Sequence, residues 1–226
     1  QIEQIDTQIF LFFNGFHNEY WDYFMMIFSD RFVWVPFYAS FIFVLLKNFP
    51  VKVVMSTIVV ITLIILFSDQ TASGILKPLV ARMRPSNPDN PISPMVHVVQ
   101  GYRGGRYGFP SSHAANAWSM AFFAQYLVRR SKLTIFLCLW ALITSYSRMY
   151  LGVHYFGDIL IGTLIGFLYA TLYYYIFQYF LRKHTERFKP NHDIRFASVP
   201  IITGLVSIWV IICTSGILSF YSIPLR

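Results

Sequence analysis

Long apolar runs constrain this chain more than any other feature. From Val53 to Ser68 there is no charged side chain, and most residues are Val, Ile, Leu or Phe. A bilayer accepts such a run as a helix, because a helix satisfies its own backbone hydrogen bonds. Similar runs recur, so six spans are expected at residues 32–47, 52–75, 111–128, 133–148, 157–181 and 197–221. The first and fourth have apolar cores near fifteen residues, roughly 22 Å against a hydrocarbon layer of about 30 Å. Arg31, Lys47, Trp34 and Trp140 are expected to anchor them at the interfaces. The fold class read from this pattern is all-α, a polytopic membrane helix bundle.

Composition agrees. The 226 residues are 56% hydrophobic and 12% charged, half the usual charge of a soluble domain (about 25%). Intrinsic disorder is excluded, and an ordinary soluble enzyme is not expected. Eighteen Lys and Arg against ten Asp and Glu give a net charge of +8. The charges lie between apolar runs and form no basic stripe on a polar domain, which argues against nucleic acid. Cys138 and Cys213 fall inside apolar runs and form neither a disulfide framework nor a metal-ligand spacing. The loops at 47–52, 129–132 and 182–195 hold ten basic residues against two acidic ones, Glu186 and Asp193. The positive-inside rule makes that side cytoplasmic and turns both termini and the 76–110 loop outward.

Residues 1–30 carry no Lys or Arg, while Ile2, Ile5, Ile9, Phe12, Phe13 and Phe16 recur at helical spacing. They read as an amphipathic segment in the membrane interface, ahead of a six-span bundle over 31–226. The 76–110 loop, with six prolines and four glycines, reads as a turn-rich lid.

Three polar groups sit at the outward ends of spans. Lys77 and Arg84, followed by Pro85, close the second; if helical, they share a face two turns apart. Pro110, Ser111, Ser112 and His113 open the third, where free N–H groups at a helix start favour an anion. Arg148 ends the fourth, and His154 and Asp158, one turn apart, open the fifth. Taken singly, an arginine at a span end is an interface anchor and a serine at a helix start is a cap. Together on one side, three cations, two histidines and two serines form a pocket for a doubly charged phosphate. The same cations disfavour a divalent metal, so none is expected.

Lys77-(six residues)-Arg84-Pro85, Pro110-Ser111-Ser112-His113 and Arg148-(five residues)-His154-(three residues)-Asp158 together resemble the three-part signature of the type 2 phosphatidic acid phosphatase superfamily. Ser112 departs from it, standing where the family usually has glycine. The resemblance implies an integral-membrane lipid phosphatase with no cofactor. His154 is the implied nucleophile, forming a phosphohistidine, with Asp158 orienting its ring. His113 is the implied acid and base, and Lys77, Arg84, Ser111, Ser112 and Arg148 hold the phosphate. The substrates it allows are undecaprenyl diphosphate, a lipid A phosphate, phosphatidylglycerophosphate and phosphatidic acid. The outward segments resemble small Bacteroidetes-type members, which tilts the reading towards lipid A or undecaprenyl diphosphate. The implied location is the bacterial inner membrane, with the site facing the periplasm. A lipid phosphotransferase using the same phosphohistidine is the alternative. A phospholipid transporter is the non-enzymatic one, disfavoured because the spans hold few midplane polar residues.

Three further features are expected to play supporting parts, and four histidines none. Arg103 and Arg106, just before His113, are candidates for a second phosphate or a polyanionic headgroup. Asp69 is expected to pair with Arg82 or another polar group near the outer interface. Gly162 and Gly166 form a small-residue face that is expected to pack on a helix of the same bundle. His17, His97, His184 and His192 read as ordinary surface residues.

Overall fold

The computed structural model describes residues 1–184 and 194–224. In chain order the helices are α1 (Ile2–Asn14), α2 (Glu19–Ser29), α3 (Val35–Asn48), α4 (Val51–Asp69), α5 (Lys77–Val80), α6 (Ser112–Leu127), α7 (Ser131–Tyr150), α8 (Phe156–His184) and α9 (Val199–Tyr221). A wide π-helical stretch, Gln70–Leu76, joins α4 to α5 without a break in direction. The side chains of Arg182, Lys183 and His184, and all of Glu186, Arg187, Lys189, His192 and Asp193, lie outside the described residues.

Among the described residues, four helical stretches are long and apolar enough to cross a bilayer: Val51–Val80, Ser131–Tyr150, Phe156–Leu181 and Val199–Tyr221. Asp30 ends α2, accepts from the Phe32 N–H at 2.8 Å and starts a 64° bend into α3. If this bent pair is counted as one span, the described residues offer five. The third expected span, 111–128, forms α6, whose 16 residues extend roughly 24 Å. It differs from the others because protein surrounds it: α8 lies along its length, and α4 and α7 pack on its other sides. Gly162 and Gly166 permit that closeness. A Cβ at Gly162 would collide with the Ser111 carbonyl, and one at Gly166 with the Ala115 carbonyl. The small-residue face is thus spent within the bundle. On the outside, Leu164, Leu168, Leu172, Leu205 and Trp209 are exposed, which suits a surface solvated by lipid.

Trp34 and Trp140 are not interface anchors. Both are buried, meeting edge to face with ring centroids 5.8 Å apart, because the bend at Asp30 lays Phe28 against Trp34 and α3 sets Phe37 against Trp140. The Trp34 indole N–H donates to the Phe28 carbonyl at 2.9 Å, which fastens that turn.

Helix α1 docks on α7 and α8 with its polar residues inward. Asp6, Phe10 and Asn14 are buried, whereas Ile2, Ile5, Phe12 and Phe16 are exposed. The Asn14 amide donates to the Met149 and Tyr150 carbonyls at 3.2 and 2.8 Å, closing the end of α7. Its oxygen accepts from the His97 N–H at 2.8 Å, tying down the long loop. His97 is not an ordinary surface residue; His17, though exposed, packs on it. Their rings stack with centroids 3.7 Å apart, and His97 Nε2 lies 2.8 Å from the Asp22 carboxylate.

The loop after α5 folds over the end of the bundle and is pinned along its length. The Ser86 N–H donates to the Gly152 carbonyl, the Arg84 N–H to Arg106 and the Gly108 N–H to Arg82. Gly104 sits at φ +66°, where a Cβ would lie 3.1 Å from the Arg84 guanidinium carbon. Glycine therefore answers both backbone and space there.

Candidate active site

The described parts of the loop and of α5 to α8 gather the polar residues at one end of the bundle. Lys77 directly follows the π stretch, and its ammonium donates to the Ser73 and Ser112 hydroxyls at 3.1 and 3.3 Å. The serine that departs from the resembled pattern thus holds the lysine. Arg84 does not share a helix face with Lys77. The helix stops at Val80 because Ala81 turns left-handed (φ 49°), and Arg84 comes in on the loop beside the Met83–Tyr107 bridge. Its Nη1 donates to the Val153 carbonyl at 3.1 Å and meets His154 Nε2 at 3.2 Å.

That second contact fixes the tautomer of His154. A guanidinium has no lone pair to offer, so His154 Nε2 must be the acceptor and carries no proton. The proton resides on Nδ1, 3.2 Å from Asp158 Oδ2, which also accepts from the Tyr155 N–H at 3.0 Å. His154 and Asp158 are both buried. Burial, and then the charges of Arg84, Arg148 and Lys77, hold the imidazole well below the usual histidine range. His154 is therefore neutral, with its lone pair on the nitrogen away from Asp158 and turned to Arg84.

Arg148 is buried at the end of α7, where it bonds the Ser29 hydroxyl and donates to the Tyr102 hydroxyl at 2.9 Å. Burial, and then the nearby Arg148 charge, lower the pKa of Arg84. The Nε atoms of both Arg84 and Arg148 are buried with no hydrogen-bond partner among the described residues. Two buried guanidiniums that repel each other and keep an unused donor each suit an anion with several oxygens. The Ser111 oxygen caps α6 by accepting from Ala114 N–H at 3.3 Å, and its own N–H is taken by the Asp158 carbonyl. The N–H groups left for an anion are those of Ser112 and His113, in the first turn of α6.

His113 faces a cavity of about 480 Å³ that runs down between α3, α4, α6 and α7. Ser112, His113, Asn116 and Asp69 line its polar part; Tyr38, Phe41, Ile58, Ile61 and Met120 line the rest. Lys77, Arg84, Arg148 and His154 are all near enough to act on His113 electrostatically. Asp69 does not pair with Arg82: it lines this cavity on the Lys77 side, whereas Arg82 turns the other way. Arg82 Nη1 bridges Asp6 Oδ2 at 2.7 Å and Asp158 Oδ1 at 3.1 Å, and its guanidinium lies 3.8 Å over the Tyr155 ring.

Arg103 and Arg106 lie exposed on the loop. The Arg103 guanidinium holds the Ser86 carbonyl and the Ser93 hydroxyl, while Arg106 lies 5.5 Å from the Tyr107 ring centroid. Among the described residues, no three His, Cys, Asp or Glu side chains converge as metal ligands. Sequence reasoning missed Ser29, Tyr102 and Asp6 at this site. One signal was available for Asp6: it shares a helix face with Asn14, opposite the apolar residues of α1.

Residues 54–182 match the model of the PAP2 superfamily. Over 214 residues, 92% of this chain and 93% of the relative, the chain is 45% identical to a Bacteroides thetaiotaomicron protein named lipid A 4′-phosphatase. It is 34% identical over 179 residues to a Porphyromonas gingivalis protein of the same name, covering 79% of this chain and 75% of that one. The crystal structure of Aquifex aeolicus LpxE is similar with a TM-score of 0.57, over 75% of this chain and 94% of that chain. At 22% identity, that likeness speaks for the fold alone.

Proposed function

Since the chain belongs to the PAP2 superfamily, we propose that this membrane protein is a lipid phosphatase that removes the 4′-phosphate of lipid A through a phosphohistidine on His154. One observation carries the chemistry: a neutral His154, with Nδ1 on Asp158 and its Nε2 lone pair facing Arg84. The name shared by the two relatives supports the choice of lipid A. Undecaprenyl diphosphate, phosphatidylglycerophosphate and phosphatidic acid are the competing substrates.

In this reading Arg84 turns from Nε2 to a phosphate oxygen as the substrate arrives. His154 Nε2 then forms a bond to phosphorus in line with the breaking P–O bond. Asp158 steadies the positive charge that grows on the ring. Once the bound phosphate dianion offsets the surrounding cations, a protonated His113 gives its proton to the leaving alkoxide, then takes one from the water that cleaves the N–P bond. Lys77, Arg148, the Ser111 hydroxyl and the N–H groups of Ser112 and His113 hold the equatorial oxygens and their growing charge. No step uses a metal. The apolar lining below His113 suits a hydrocarbon chain, and Arg103 and Arg106 suit a second phosphate on the headgroup. The excess of basic residues in the opposite loops supports a pocket facing the periplasm from the inner membrane, with residues 1–30 in the outer interface.

The test is inorganic phosphate release by detergent-purified protein in EDTA, with the four lipids offered in parallel. Release from lipid A that is lost in His154→Ala is the expected result. Equal release from His154→Ala would refute the nucleophile, and release from another of the lipids alone would refute the substrate.

A further inference from the structure

Arg82 and Asp6 connect the N-terminal helix to the nucleophile. Asp6 accepts from Arg82 Nη1 at 2.7 Å through Oδ2 and from the Gly157 N–H at 2.8 Å through Oδ1. Gly157 is in the first turn of α8, so a carboxylate from another helix caps the helix that carries Asp158. The approach depends on glycine, since a Cβ at residue 157 would lie 2.8 Å from Asp6 Oδ2. The same Arg82 Nη1 reaches Asp158 Oδ1 at 3.1 Å, while Asp158 Oδ2 faces His154 Nδ1. Asp6, Arg82, Asp158 and His154 therefore form one continuous chain of charge-assisted contacts.

From this geometry we infer that Asp6 is a positioning residue for His154, acting through Arg82 and Asp158. The inference rests on the phosphatase reading. When Nε2 bonds phosphorus, the ring becomes cationic, and the Asp158 charge stabilises it only as far as that charge is not already matched. Arg82 shared between two carboxylates leaves Asp158 more of its field; Arg82 facing Asp158 alone would quench it. The charged and titratable groups facing the pair are Arg82 and Arg84 on the loop, Lys77 on α5, His113 on α6, Arg148 on α7 and Tyr155 beside them. Cations predominate in that set, and Asp6 on α1 is the carboxylate that offsets Arg82.

The experiment follows kcat and KM against pH for the wild type, Asp6→Asn, Arg82→Gln and the double variant, with His154→Ala alongside. In Asp6→Asn, kcat falls at least tenfold with KM within threefold. The acid limb of kcat/KM moves to lower pH, because a quenched Asp158 supports the imidazolium less. Arg82→Gln in the Asp6→Asn background restores at least threefold of the lost kcat. A role in folding alone would lower the active fraction, shift no limb and find no suppressor; that pattern, or wild-type kcat in Asp6→Asn, overturns the inference. If Asp6→Asn does not fold, Gly157→Ala displaces the carboxylate while keeping its charge. The same kcat loss and limb shift are then expected, and wild-type kinetics overturn the inference. Wild-type protein that releases no phosphate would instead refute the phosphatase reading itself, and this inference with it.

Discussion

Replacing Arg84 by lysine separates geometry from charge at the site. Arg84 uses one nitrogen to hold the Val153 carbonyl and His154 Nε2, and keeps a buried Nε with no partner among the described residues. A lysine keeps the positive charge, but its single ammonium cannot span that fork. The loss is about one charge-assisted hydrogen bond to the transferring phosphate, about 1.5–3 kcal/mol. That corresponds to a drop in kcat/KM of roughly ten- to a hundredfold. A second effect follows from the surroundings. Burial, and then Arg148, lower the pKa of a cation at this position. Arginine stays charged through such a shift, whereas a lysine starting near 10.4 is brought towards the assay range. Arg84→Lys should therefore lose activity further as pH rises, with an alkaline limb steeper than that of the wild type. The assay is kcat/KM for lipid phosphate release from pH 6 to 9, with the melting temperature as a check on folding. A folded variant within threefold of wild type, with a superimposable pH profile, would refute the forked role.

Because folded His154 is held neutral while an unfolded histidine protonates below about pH 6.5, the unfolded state binds more protons in acid. The stability this group contributes is then full above that pH and declines below it by about 1.4 kcal/mol per unit; thermal melts from pH 7.5 to 6 should show a smaller decline in His154→Gln than in the wild type. Gly166→Leu should force α6 away from α8 at a cost of about 1–3 kcal/mol, lowering the melting temperature by roughly 3–10 °C. Arg106→Ala should raise KM for a diphosphorylated lipid A more than for a monophosphorylated one, with kcat kept, in a phosphate-release assay.

What was legible in the sequence was chemical, and what was not depended on contacts distant along the chain. Lys77, Arg84, Arg148, His154 and Asp158 stood out because charged residues at the ends of apolar runs are conspicuous, and the structure brings them to one end of the bundle. The route of Arg84 was hidden: a left-handed Ala81 is a backbone event that alanine does not advertise. Arg82 was one of the partners open to the nearer Asp69, yet its carboxylates come from Asp6 and Asp158, each 76 residues away. Trp34 and Trp140 looked like interface anchors because tryptophan often is one; the turn at Asp30 that buries them has no apolar periodicity. The apolar run of α6 looked like any other span, since burial in protein and burial in lipid select similar residues. Only the glycines of α8 show which of the two occurs.

The inward polar face of α1 also bears on handling the protein outside a membrane. Ile2, Ile5, Phe12 and Phe16 point away from the bundle and need hydrocarbon around them. A micelle too thin to cover them makes that oily side seek another surface, and the helix that leaves takes Asp6 and Asn14 with it. Helix content hardly changes when this happens, so circular dichroism and gel filtration would pass such a sample as native. Turnover, and hydrogen-exchange protection of the His97 amide that donates to Asn14, would not. Choice of detergent thus becomes a variable of activity rather than of solubility, and return to a lipid nanodisc is the step that should recover it.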